Sequence, residues 1–286
     1  MVGDLEFLTR AELLAHGVTR RGIASALRAG RLVRVRRDRY LASTAPEQVQ
    51  SAVRVGGRLA CLSLLQLLGV FVFDNRRLHT HVERGSSRLR SAASPPAPLP
   101  PRRSREFRVH WMPLVRPDDA TPTCVSILDA LAQSVLCQSA RHSIATIDSA
   151  LNKKLVSLLD VREMFAALPA RYRILEQLID ARAESGPETL VRLMLRTLGC
   201  TVEPQVEFDG IGRVDHVVDG WLVVECDSKQ FHATWEQQVK DRERDLALAS
   251  LGFATIRFTA AQIMYQPDEV FIALRALART HRTQSS

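Results

Sequence analysis

Lysine is nearly absent from these 286 residues: Lys153, Lys154, Lys229 and Lys240 are the only four. The positive excess, 39 Lys plus Arg against 31 Asp plus Glu for a net +8, is therefore carried by arginine. A basic chain of this size fits a polyanion, nucleic acid before an anionic membrane. A high-GC genome writing arginine for lysine is the plainer reading of the same numbers. Paired cysteines are also missing. Cys61, Cys124, Cys137, Cys200 and Cys226 are odd in number and none stand in CxxC spacing. That pattern predicts a reduced cytosolic chain with neither a zinc site nor a disulfide framework. Long hydrophobic runs are lacking too. The most apolar window, Leu59 to Phe73, is too short to span a bilayer and reads as a buried helix. The opening MVGDLEFLTR has no export-signal core, and no internal repeat is visible.

What is present begins with a small unit over residues 5 to 42. Thr9 and Glu12 have capping-box spacing ahead of AELLAH, which stops at Gly17. Thr19 caps a second helix, RRGIASALRA, which stops at Gly30. Ile23, Ala26 and Leu27 share one face of it while Arg20, Arg21 and Arg28 project from the rest. RLVRVRRDRYLAS then alternates around a polar centre as a β-hairpin does. Two short helices and a basic hairpin are the order of a winged helix-turn-helix. Its second helix would enter a major groove, and Arg34, Arg36, Arg37 and Arg39 of the wing would lie on phosphates. The stretch GVTRRGIASALRAGRLVRVRRDRYL resembles the N-terminal DNA-binding domain of AbiEi-type antitoxins.

Residues 46 to 175 hold no catalytic constellation. A helical stretch near 47 to 70 precedes two strand-like pieces, LHTHVE and FRVHWMPL, separated by a Ser/Pro/Arg-rich solvated loop at 85–105. From Val125 to Leu178 the pattern is helical. His79, His81, His110 and His142 are scattered and read as satisfied or surface histidines.

The last third has a sharper grammar. SGPETLVRLMLRTLG reads as a helix capped by Ser185, with Pro187 in its first turn and Gly199 at its stop. VEPQVEFDG, RVDHVV and WLVVECD read as strands, TWEQQVKDRERDLALASLG as a helix, FATIRFT as a strand and DEVFIALRALAR as a final helix. The apolar strand ending in VVECDSKQFH raises a question, because charge at a strand end costs desolvation unless something pairs with it. A metal ion is one answer and a salt bridge with Arg213, Arg244 or Arg257 the other. Strand alternation puts Glu225, Asp227 and Lys229 on one face, Asp215 lies in the preceding strand, and Glu188 sits in the first turn of the helix before it. With a two-residue turn at Asp219–Gly220, Asp215 faces Val224. A three-residue loop or a bulge sets it against Glu225, so the metal reading predicts an odd-length loop. Lys240 and Arg244, one turn apart, can face a phosphate backbone, with Arg244 also turned toward the acids.

Glu188, Asp215, Glu225, Asp227, His232 and the DRERD helix with Asp241 and Arg244 resemble the PD-(D/E)XK nuclease superfamily, and within it the Vsr-like endonucleases. The resemblance implies Mg²⁺, or Mn²⁺, held by Asp215, Glu225 and Asp227. It makes Glu188 an acidic partner and His232 a general base or phosphate contact. Asp227-Ser228-Lys229 is a literal DxK, with Lys229 as the charge-neutralising group. If Glu225 opens the signature instead, Asp227 stands in the lysine's place. Ser228 also stands where related domains often have glycine.

The expected fold is α/β within an α+β whole. It comprises a winged helix-turn-helix at 1–45, a mostly helical middle at 46–180 and a restriction-endonuclease-like mixed sheet with flanking helices at 181–286. The expected function is Mg²⁺-dependent cleavage of double-stranded DNA in repair or defence, by a cytoplasmic, nucleoid-associated protein with no membrane partner. The alternatives are an antitoxin-like transcriptional regulator with an inactive nuclease fold, and a protein-interaction module in a defence or toxin–antitoxin system; a cognate toxin or a repair or defence protein is the further partner.

Overall fold

Local signals set the N-terminal elements. In the computed structural model, which describes residues 8–94, 97–227 and 235–284, the Thr9 hydroxyl accepts the Glu12 N–H at 3.2 Å. The Glu12 carboxylate accepts the Thr9 N–H at 2.6 Å, and this reciprocal cap starts α1 (Arg10–Ala15). The chain turns at Gly17, whose φ of +80° suits glycine. Thr19 caps α2 (Arg20–Arg28) by accepting the Gly22 N–H at 3.0 Å. β1 (Leu32–Arg36) and β2 (Arg39–Ala42) pair antiparallel, and Leu8 adds a bridge to Tyr40. Leu13, Ile23 and Tyr40 are buried together, with Val18, Leu27 and Leu32 packed against them. Burying each such side chain contributes about 1.5–3 kcal/mol.

The chain divides into two compact units. Met1–Val70, Asp74–Cys137 and Leu159–Ala170 make the first; Phe71–Phe73, Gln138–Leu158 and Arg171–Ser286 make the second. In the first, α3 (Glu47–Val55) stops at Gly56, φ +102°. β3 (Arg58–Leu59), α4 (Cys61–Leu67), β4 (Leu78–His81) and β5 (Phe107–His110) follow. The strands form a sheet in the order β3-β4-β5, antiparallel then parallel, and α5 (Ile127–Val135) packs against α4. The apolar window expected as one helix is helical only over α4, because Gly69 takes φ +71°; Cys61 to Leu65 are buried as expected. Among the described residues of 85–105 the chain is a loop, with a short 3-10 turn at Arg102–Ser104. It is anchored rather than simply solvated: Leu89, Ala92 and Leu99 pack on Val55, Val82 and Phe107, and the Arg90 N–H donates to the Val55 carbonyl at 3.1 Å.

α6 (Ala140–Asn152) belongs to the second unit, and α7 (Leu158–Ala167) returns to the first from Leu159 onward. In the second unit Ser185 caps α8 (Gly186–Thr197) by accepting the Glu188 N–H at 3.3 Å. β6 (Val202–Phe208), β7 (Gly212–Val218), β8 (Leu222–Asp227), α9 (Trp235–Ser250), β9 (Ala254–Thr259), α10 (Ala260–Tyr265) and α11 (Pro267–Gln284) complete it. The sheet runs β6-β7-β8-β9, with antiparallel hairpins and a parallel β8–β9 pair that needs α9 as its crossover. Alternation along β8 divides its side chains between the faces. Leu222, Val224 and Cys226 join Leu190, Leu195, Val270 and Leu274 of α8 and α11. Val223 joins Val214, Val217 and Leu248 of α9. The central strand β8 is thus covered on both sides, as in an α/β layer.

Candidate active site

The β7–β8 ladder runs Val218↔Leu222, Val217↔Val223 and His216↔Val224. The connecting loop is therefore three residues, Asp219 to Trp221, with Asp219 and Gly220 at φ +48° and +73°. This is the odd-length loop that the metal reading requires, and one further step sets Asp215 against Glu225. Beyond His216 the carboxylates replace the ladder. The Asp215 N–H donates to Glu225 Oε2 at 3.1 Å, and the Cys226 N–H donates to Asp215 Oδ2 at 2.7 Å.

The other neighbour of β7 is distorted at the same level. β6 pairs Pro204 with His216 and Val206 with Val214, so Gln205 lies opposite Asp215. Its φ of +58° is left-handed in mid-strand, a conformation costing a non-glycine residue about 1–3 kcal/mol and concentrated at functional sites. The Gln205 amide donates to Glu188 Oε2 at 2.9 Å, and the Glu184 N–H donates to the same oxygen at 2.8 Å. Glu188, in the first turn of α8, is 5% exposed.

Four carboxyl groups act electrostatically on Cys226. Burial pushes its thiol well above the usual range, and Asp215, Glu188, Glu225 and Asp227 each push it further. Burial first, and then the neighbouring charges of Glu188 and Asp227, raise Asp215 to about 6 against the Cys226 N–H and Arg244. Glu225 is raised by burial and by Asp215, and Glu188 by burial. Parity places Glu225 on the α9 face of the sheet, where Arg244 Nη2 stands 3.0 Å from its Oε1. Arg244 also donates to the Arg213 carbonyl. Asp227 is exposed at the strand end, 3.9 Å from Arg257, which pairs more closely with Asp245 at 2.7 Å.

Crowded carboxylates that raise one another's affinity for protons are short of positive charge. A divalent cation would supply it. The donors are all oxygen, which suits Mg²⁺ or Mn²⁺ better than a thiophilic metal. Asp215 and Glu225 fit as the protein's share of such a shell, with water and phosphate completing it, as Mg²⁺ usually requires.

The structure treats the remaining sequence candidates unequally. Lys229 and His232 lie outside the described residues. Arg20, Arg21, Arg28, Arg34, Arg37 and Lys240 are exposed. Arg36 is held by the carbonyls of Val55 at 3.2 Å and Arg88 at 2.6 Å, and Arg39 donates to the Asp38 carbonyl at 3.0 Å. His79, His81 and His110 are buried, at 5%, 3% and 8% exposure, and partnered, His79 with His110 at 3.1 Å and His81 with Gln133 at 3.3 Å, so of the two readings the satisfied one holds for these three. Gln205 escaped the sequence reading altogether, since a left-handed backbone at glutamine has no sequence signature.

His216, beside Asp215, is 1% exposed. Among the described residues neither of its ring nitrogens has a well-aligned hydrogen-bond partner. Burial, then the charge of Arg192, lowers its pKa to about 4. An unfolded chain takes up this proton near pH 6.5. The stability gained from keeping His216 neutral is therefore present above about pH 6.5 and is lost as the pH falls toward about 4, amounting to about 3 kcal/mol. His216→Leu should flatten the acid limb of a plot of Tm against pH. An unchanged limb would place the acid sensitivity elsewhere.

A mixed sheet covered on both faces, with acids gathered at the end of its central hairpin, defines the class of this segment. A restriction-endonuclease-like family model, REase_MTES_1575, matches residues 188–277, which supports a restriction-endonuclease-like domain at the C-terminal end. No curated protein matches the chain. Among the described residues no helix is long and apolar enough to cross a membrane.

Proposed function

We propose that this chain is a DNA endonuclease dependent on Mg²⁺, with Mn²⁺ as substitute, acting in DNA repair or defence in the cytoplasm at the nucleoid. Residues 1–45 are the winged helix-turn-helix that engages duplex DNA, 46–180 the middle domain and 181–286 the Vsr-like nuclease domain. The observation that carries this reading is the opposition of Asp215 and Glu225 at the end of β7 and β8, within the segment that matches a restriction-endonuclease-like family.

Asp215 and Glu225 would hold the cation. When bound, it lowers the pKa of a water and neutralises charge developing on the scissile phosphate. Gln205 and the Glu184 N–H fix the Glu188 carboxylate beside them. Arg244 balances Glu225 from the α9 side. The exposed Arg20, Arg21, Arg28, Arg34 and Arg37 supply phosphate contacts around α2 and the hairpin.

A second reading rests on one specific feature. Arg244 already stands 3.0 Å from Glu225 Oε1, as a site in which a side-chain cation takes a metal's place would require. The chain would then be an antitoxin-like regulator with an inactive nuclease fold, acting with a cognate toxin. Supercoiled plasmid incubated with the full chain separates the two. Nicking in Mg²⁺ or Mn²⁺ that EDTA stops is the expected result, with DNA affinity falling with salt at a log–log slope of about −0.9 per phosphate engaged. No nicking with either metal, together with salt-steep binding, would turn the reading to the regulator. Salt-insensitive binding would overturn the role of the arginines.

A further inference from the structure

Among the described residues of the first unit, four side chains of metal-ligand chemistry converge on one point away from the acidic cluster. One ligand atom from each of Cys61, His79, His110 and Cys137 lies within 4.8 Å of all the others. Cys61 opens α4, His79 lies on β4, His110 ends β5 and Cys137 follows α5. The fold aims them there for identifiable reasons. β4 and β5 pair with His79 opposite Arg108, so His79 and His110, two residues beyond Arg108, share a face. The Ala60 N–H donates to the His79 carbonyl at 3.1 Å, which brings Cys61 beside His79. Packing of α5 on α4 brings up Cys137.

We propose that Cys61, His79, His110 and Cys137 form a closed tetrahedral Cys2His2 site for a zinc-class divalent cation, with a structural role in the first unit. The separations fit. Zinc bonds of about 2.0–2.1 Å to nitrogen and about 2.3 Å to sulfur place tetrahedral ligands roughly 3.3 Å apart for two nitrogens and roughly 3.6 Å apart for nitrogen and sulfur. Here His79 Nδ1 and His110 Nε2 are 3.1 Å apart, and Cys137 Sγ is 3.9 Å from that same Nε2. The charges fit as well. Binding releases both thiol protons to solvent, and two thiolates cancel a 2+ ion, so the buried site is neutral. Cys61 and His79 are 0% and 5% exposed, leaving little room for an open fifth position. Four protein ligands with no vacancy define a structural rather than a catalytic centre. Cys61 also takes φ +49°, a strained backbone that persists where its surroundings overdetermine it. A Cys61–Cys137 disulfide would account for the two sulfurs but not for two imidazole nitrogens facing them.

The test uses the full chain, purified under reducing conditions without chelator. Elemental analysis should find about one equivalent of zinc or a similar transition metal per chain. After chelator treatment, titration with Co²⁺ should produce tetrahedral d–d bands together with a thiolate-to-cobalt charge-transfer band, both displaced by Zn²⁺. The charge-transfer band distinguishes this centre from an oxygen-only site. Asp215→Ala should leave it unchanged, as should Cys200→Ser, whereas Cys137→Ser and His110→Asn should abolish it. If those two variants fail to fold, the native chain's cobalt spectrum decides alone. Substoichiometric metal without a thiolate–cobalt band would overturn the proposal, as would a Cys61–Cys137 disulfide recovered in the reduced preparation.

Discussion

Asp215→Ala should reduce metal-dependent plasmid nicking by about 10²–10³-fold or more, on the scale of losing one preorganised charge-stabilising group, while DNA affinity stays near native. The side chain reaches only the end of the β7–β8 hairpin, where it accepts the Cys226 N–H at 2.7 Å, and it is remote in sequence from the arginines of α2 and the wing. Asp215→Asn refines the test. The amide oxygen can still accept from Cys226, so the strand end keeps its hydrogen bond and loses only the charge. Nicking that survives in Asn would assign Asp215 to structure.

The same variant carries a stability signature of opposite sign. In the metal-free protein the Asp215 pKa is raised to about 6, chiefly by burial, so the fold disfavours the carboxylate. The penalty grows as pH rises from the unfolded value near 3.9 through about 6 and is complete above that. Asp215→Asn removes it. The neutral variant should be the more stable at pH 7 by on the order of 1–2 kcal/mol, after allowance for partial solvent screening. A more stable, inactive variant is the behaviour expected where function is held against local electrostatics. Equal or lower stability of Asn in denaturant titrations at pH 7 would remove the electrostatic part of this account.

The second large effect lies away from the acids. Asp148→Ala should destabilise the chain by about 3–5 kcal/mol, the usual result of stranding a buried charge. Arg192, on α8, is 0% exposed, and its Nη2 lies 2.7 Å from Asp148 Oδ2. Asp148, on α6, also accepts the Thr189 hydroxyl at 2.9 Å and the Asp180 N–H at 2.9 Å. Its loss leaves a guanidinium inside the second unit whose remaining hydrogen bond, among the described residues, is to the Leu178 carbonyl at 2.9 Å. Against a total stability of about 5–15 kcal/mol, that shift should move the denaturant midpoint far enough to read in a single titration. Replacing both partners together, Asp148→Leu with Arg192→Met, removes charge and countercharge. The double variant should recover most of the loss. A double variant no better than Asp148→Ala would mean that the hydrogen bonds to Thr189 and Asp180, rather than the ion pair, dominate.

What the sequence determined by itself is local. Thr9 with Glu12, Thr19, and Ser185 ahead of Pro187 cap the helices they were expected to cap, because a cap is a contact across three residues. The order of helices and strands from 186 to 259 and the final helix were legible from periodicity and glycine stops for the same reason, whereas α10 at Ala260–Tyr265 was not expected. The acids at the end of β8 stood out because charge is costly after an apolar strand. What the sequence left open was decided by tertiary structure. Asp219–Gly220 allowed a two-residue or a three-residue connection, and only the pairing of Val218 with Leu222 chose the one that opposes Asp215 to Glu225. The bend at Gln205, the burial of Arg192 against Asp148, and the meeting of Cys61, His79, His110 and Cys137 join residues far apart in the chain. Spacing rules act over a turn or a hairpin. Convergence across separate elements depends on which faces pack together, and that is settled only when the sheet and its helices close over a common core.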